Sequence, residues 1–209
     1  VFHIDSGFLY TLKSLFINPG QAIKNYLSGQ RVRHFKPFAY VVILSTICTL
    51  LIPLIERATF DLFKMKYPGV GARMEQLFWE KYISLLIFLM IPVTSFIAWF
   101  SFKKRGYNYW EHVVGNTYLA AQLNIVLLLI KLFGLMKILL GYHPNVNFTG
   151  FMFLLAAYYT YCLRVWMGGS GNWWLTALQL FITTFLVIMV FLTGFSLTGI
   201  MTPWWNFSL

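Results

Sequence analysis

The chain has 209 residues, 59% of them hydrophobic and 20% aromatic, with only 11% charged, a composition that excludes an ordinary soluble globular domain. Sixteen Lys and Arg against six Asp and Glu give a net charge of +10, which in so apolar a chain bears on membrane orientation and anionic lipid; nucleic acid is not needed to explain it. The expected class is therefore an all-α integral membrane protein.

At the start, "GFLYTLKSLF" sets Phe8, Leu9, Leu12, Leu15 and Phe16 against Thr11, Lys13 and Ser14, the pattern of a helix lying in the membrane interface. "NPGQAIKNYLSGQRVRHFKPF" (Asn18 to Phe38) follows. Asn18 suits an N-cap, Pro19 the first helical position, and Gly29 a left-handed C′ position, so the spacing predicts a short helix over Pro19–Ser28. Its apolar face is Ala22, Ile23, Tyr26 and Leu27. Arg31, Arg33, His34 and Lys36 then form a basic collar directly before the first apolar run. The collar reads first as a topology-fixing juxtamembrane cluster, and second as a contact for an anionic lipid or ligand, because Arg31 and Arg33 can chelate a phosphate.

Beyond this interfacial segment of residues 1–37, residues 38–209 read as a domain of five membrane spans, at about 38–55, 82–102, 117–140, 148–167 and 174–201. Residues 56–81 form a long outer loop, expected as two short amphipathic helices broken at "YPGVG" (Tyr67 to Gly71), with a substrate-gathering lid as the sharper alternative. Pro92 predicts a kink in the second span. Trp110, Trp173, Trp174, Trp204 and Trp205 fall where aromatic belts are expected.

Loop cations set the orientation. Lys13, Lys24, Arg31, Arg33, Lys36, Lys103, Lys104, Arg105 and Arg164 fall on one side, against Arg57, Lys64, Lys66, Arg73 and Lys81 on the other. The positive-inside rule places the N-terminus in the cytoplasm and the C-terminus outside, which for a bacterial chain is the periplasm. The chain starts at Val1, so a longer protein with a preceding segment is expected, and nothing at its start reads as a cleavable signal. Cys48 and Cys162 both fall inside spans without CxxC spacing and read as packing residues; no metal site or cofactor is expected.

Three groups of residues invite chemistry. Thr117, Ala120, Asn124, Lys131 and Gly134 recur at helical spacing in the third span, a stripe that should face protein or a wet cavity; Asn124 and Lys131 serve either helix packing or an ion path. Glu111 and His112 are adjacent and so project about 100° apart on a helix. They suit capping and helix contact better than acid–base catalysis, and HExxH spacing is absent. "WMGGSGNWW" (Trp166 to Trp174) lacks the phosphate-loop pattern and reads as a hairpin between the last two spans; "NFT" at Asn147 and "NFS" at Asn206 match the glycosylation sequon, a pattern common by chance.

"TLKSLFINPGQAIKNYLSGQRVRHFKPFAY" resembles the opening of a multi-pass bacterial membrane family known only as domain of unknown function three-six-six-seven. Thr11, Leu12, Leu15, Pro19, Gly20, Tyr26, Gly29, Arg31 and Pro37 are the matching positions, and "YNYWEHVVGNTYLAAQ" and "CLRVWMGGSGNWWLTAL" extend the likeness. The resemblance implies an inner-membrane location and carries no assigned activity; the family's N-terminal zinc ribbon, with its paired CxxC motifs, is lacking here. A looser likeness is to Yip1-type membrane proteins, which share a five-span plan. The function expected is a noncatalytic scaffold, assembly factor or accessory subunit of a larger complex, with membrane lipids and other membrane subunits as partners. A small-solute or lipid transporter is the alternative, and a lipid-modifying enzyme built on Glu111, His112 and the collar comes third.

Overall fold

A computed structural model describes residues 4–67, 78–141, 148–168 and 173–197. Among the described residues the structure is helical throughout, with no strand: α1 (Ile4–Ile17), α2 (Pro19–Leu27), α3 (Pro37–Lys66), α4 (Phe78–Leu89), α5 (Ile91–Phe102), a 3-10 turn (Lys103–Arg105), α6 (Tyr109–Leu139), α7 (Phe148–Met167) and α8 (Trp173–Leu197). The expected features at "YPGVG" beyond Tyr67, the Gly-rich part of the last hairpin, Asn147, Asn206, Trp204 and Trp205 lie outside the described residues.

The entrance to α2 follows local chemistry. Asn18 Oδ1 accepts from the Gln21 amide at 3.3 Å, Pro19 occupies the first turn, and the helix stops at Ser28 because Gly29 takes φ +101°. Pro37 takes the same first-turn position in α3, there without a side-chain cap.

α3 and α6 pack most extensively on each other. They run parallel, since Tyr40 meets Tyr118, Ser45 meets Asn124, Glu56 meets Lys131 and Lys66 meets the end of α6. The chain returns between them through α4 and α5, bent by 47° where Pro92 sits in the first turn of α5. The kink expected at Pro92 is thus a break between two helices at Met90, the ring being tolerated where no backbone donor is needed. α7 runs back along α6, with Trp166 against Gly115 and the Tyr159 hydroxyl bonded to Asn116 Oδ1 at 2.9 Å.

Two helices among the described residues are long and apolar enough to cross a membrane, Pro37–Lys66 and Tyr109–Leu139, and the bent α4–α5 pair makes a third if it is one span. This is fewer than the five spans expected. A shorter apolar stretch, Thr176–Met189, lies within α8.

A second difference concerns residues 56–66. They continue α3 as one 30-residue helix in place of a separate surface helix. At 1.5 Å per residue α3 is about 45 Å long, more than a hydrocarbon core of about 30 Å requires of a spanning helix. Its last turns have work to do at the end of α6: Lys66 Nζ donates to the Ile138 carbonyl, which also accepts from the Gly141 amide, and, at 2.9 Å, to the Leu139 carbonyl, and Tyr67 Oη donates to the Gly141 carbonyl at 3.3 Å.

Candidate functional site

The collar is built by pinning a loop. Thr11 on α1 is fully buried; its hydroxyl donates to the Gly7 carbonyl at 2.8 Å and accepts from the Phe35 amide at 2.7 Å. From the other side the Tyr118 hydroxyl donates to the Phe35 carbonyl at 2.6 Å. Both backbone groups of Phe35 are thereby fixed, and the loop Gln30–Lys36 is held over the start of α6.

Within this loop, the Arg31 guanidinium stands 5.5 Å from the Tyr26 ring centroid, and Lys36 is the uncapped residue preceding α3. His34 is 8% exposed and packs edge-on between Tyr10 and Tyr26, with centroids at 5.2 and 6.3 Å. Burial holds its pKa below the ordinary histidine value, so at neutral pH it is an uncharged donor and acceptor. Arg31, His34 and Lys36 all line one groove of about 1090 Å³ that reaches to Phe38, Ala39, Val113, Val114 and Thr117; Arg33 is exposed and outside this lining.

The polar stripe of α6 points at protein. Thr117, Ala120, Asn124 and Gly134 are buried, and Asn124 donates to Ser45 Oγ at 3.0 Å while its carbonyl accepts from Cys48 Sγ at 3.3 Å. Lys131 is ion-paired with Glu56, their side chains 27% and 15% exposed. Neither Asn124 nor Lys131 lines the groove. Sequence reasoning named Lys131 but missed its partner, because Glu56 was assigned to a loop; the i+4 relation to Ile52, a fully buried member of the same helix, was the available signal.

Glu111 and His112 divide as their 100° offset dictates. Glu111 closes a capping box, its Oε2 accepting from the Asn108 amide at 2.7 Å and Asn108 Oδ1 accepting from the Glu111 amide at 2.9 Å. His112 is fully buried beside Trp166 at 5.3 Å and Tyr107 at 6.2 Å, and neither ring nitrogen has a protein partner. Among the described residues no three His, Cys, Asp or Glu side chains are grouped to hold a metal.

One end of the bundle collects the loop cations. The start of α3, the Lys103–Arg105 turn, the start of α6, the end of α7 and the start of α8 meet there, joined by Tyr107 against Trp166 at 5.8 Å and by Arg105 Nη2 donating to Thr176 Oγ1 at 2.8 Å.

Residues 5–49 match the model of a family described as protein of unknown function (DUF3667). The match covers α1, α2, the collar and the first part of α3. No curated protein and no solved structure matches the chain.

Proposed function

We propose that the chain is a noncatalytic, multi-pass protein of a bacterial inner membrane, acting as a scaffold or accessory subunit of a larger membrane complex. α3, the α4–α5 pair and α6 are its first three crossings, and α7 and α8 supply the fourth and fifth. The N-terminus lies in the cytoplasm, a reading supported by the gathering of Arg31, Lys36, Lys103, Lys104, Arg105 and Arg164 at one end.

The observation that carries the scaffold reading is the engagement of the α6 stripe: Asn124 is bonded to Ser45 and Lys131 is paired with Glu56. A transport path along this stripe needs those groups facing water. They instead join helices, the common use of polar side chains in membrane bundles. An enzyme built on Glu111 and His112 is disfavoured for a parallel reason, since the carboxylate caps α6 and the imidazole is sealed against Trp166. Meanwhile Leu50, Leu54, Phe100, Phe133, Leu154 and Phe181 leave apolar flanks open on several helices, surface suited to lipid and neighbouring subunits.

Purification of the tagged chain from native membranes tests the proposal. A second membrane protein in fixed stoichiometry is expected; recovery of the chain alone, together with solute flux in reconstituted vesicles that Lys131→Leu abolishes, would replace it with a transporter.

A further inference from the structure

The groove at the collar combines features that the scaffold role does not use. Its cations, Arg31 and Lys36, stand at the mouth, while Phe38, Val113 and Val114 supply an apolar wall. α3 begins here with no side-chain cap, so the positive end of its dipole is left to whatever occupies the groove. His34 adds a polar edge of its own: it is 8% exposed and lines the groove beside these cations.

Position selects the occupant. Val32, 99% exposed between two arginines, and Phe38, 68% exposed, mark the level where the chain passes into lipid, and Trp110, 72% exposed, stands at the start of α6 as a headgroup-level indole does. Phe38 also begins the exposed apolar row of α3 that continues through Val42 and Leu50. A ligand that is acidic at one end and apolar at the other matches both halves of the groove.

We propose that this groove binds one anionic glycerophospholipid, its phosphate held by Arg31, Lys36 and the open first turn of α3, with His34 donating to it, and an acyl chain lying along Phe38, Val113 and Val114. The proposal rests on the reading that α3 and α6 cross a bilayer.

The test uses the full chain in nanodiscs or detergent. Its thermal midpoint and retained lipid are measured with phosphatidylglycerol, with phosphatidylcholine, and with inorganic phosphate. Phosphatidylglycerol is expected to raise the midpoint and to remain bound through purification, and Arg31→Gln combined with Lys36→Gln to weaken its retention roughly tenfold or more. Lys103→Gln combined with Lys104→Gln, which removes cations from the same end outside the groove, should leave retention unchanged. Equal retention of phosphatidylcholine, equal stabilisation by inorganic phosphate, or an equal loss in the Lys103 and Lys104 variant would each overturn the proposal. Alkaline carbonate extraction separates the two levels of failure: release of the wild-type chain refutes the membrane reading itself, whereas an inserted chain without phospholipid preference refutes only the groove.

Discussion

A methyl group at Gly20 would lie 2.4 Å from the carbonyl carbon and oxygen of Val165, so the backbones of α2 and α7 touch there with no room for a side chain. The Pro-Gly pair thus starts a helix with one residue and lets it cross a neighbour with the next. Gly20→Ala should cost roughly 1–3 kcal/mol, as overpacking does, read as a lower midpoint of thermal unfolding. Gly29→Ala meets open space and pays only for its positive φ, roughly 1–2 kcal/mol, and leaves the α2–α7 contact intact. His34 adds a pH dependence. Its folded pKa is held below the ordinary value near 6.5, so as pH falls through that value the unfolded chain takes up a proton that the folded chain refuses. Its contribution to stability should be full above about pH 6.5 and decline on acidification, flattening once the folded group also protonates, and His34→Phe should make the slope of unfolding free energy between pH 7 and pH 5 shallower.

Among the elements, α3 is the one whose extent matters most, because its last turns reach the end of α6. Lys66→Met should remove the cation from the α6 C-terminus and cost about 0.5–1 kcal/mol, the worth of such a charge there. Lys131→Leu leaves Glu56 alone in a half-apolar setting and should cost more, roughly 1–3 kcal/mol. The double variant Glu56→Leu with Lys131→Leu should recover much of that loss, and a double-mutant cycle on thermal unfolding would expose the coupling. At the opposite end of these helices the sequence was legible where the determinants are local: Asn18, Pro19 and Gly29 set the limits of α2 to within a residue, and Glu111 serves the capping role its position suggested. Thr11 was not legible as a core residue. A hydroxyl reads as polar, and only the arrival of the Phe35 amide, 24 residues on, explains why it is buried. The extension of α3 was hidden similarly, since Glu56, Arg57 and Asp61 end an apolar run without ending a helix.

For the molecule as a whole, topology is the property most open to measurement. Cys48 and Cys162 are buried, so single cysteines introduced at exposed positions can be labelled against a low background. With five crossings, a cysteine at Gly106 and one at Trp174 should react only from the cytoplasmic side, and one at Met65 only from the opposite side. Labelling of the Trp174 position from outside would show that α7 does not cross. The candidate groove was only half legible at this scale. Its cations lie together in the sequence, but its apolar wall comes from Val113 and Val114, which no periodicity links to Arg31 or Lys36.

The pairing of Glu56 with Lys131 also imposes a timetable on biosynthesis. The two residues are 75 positions apart, and a ribosome adding about 5–20 residues per second needs about 4–15 s to travel between them. Throughout that interval α3 has been made and its acid has no counter-charge, while Ser45 and Cys48 lack the Asn124 groups they later engage. α3 therefore waits, with Glu56 unpaired, until α6 arrives.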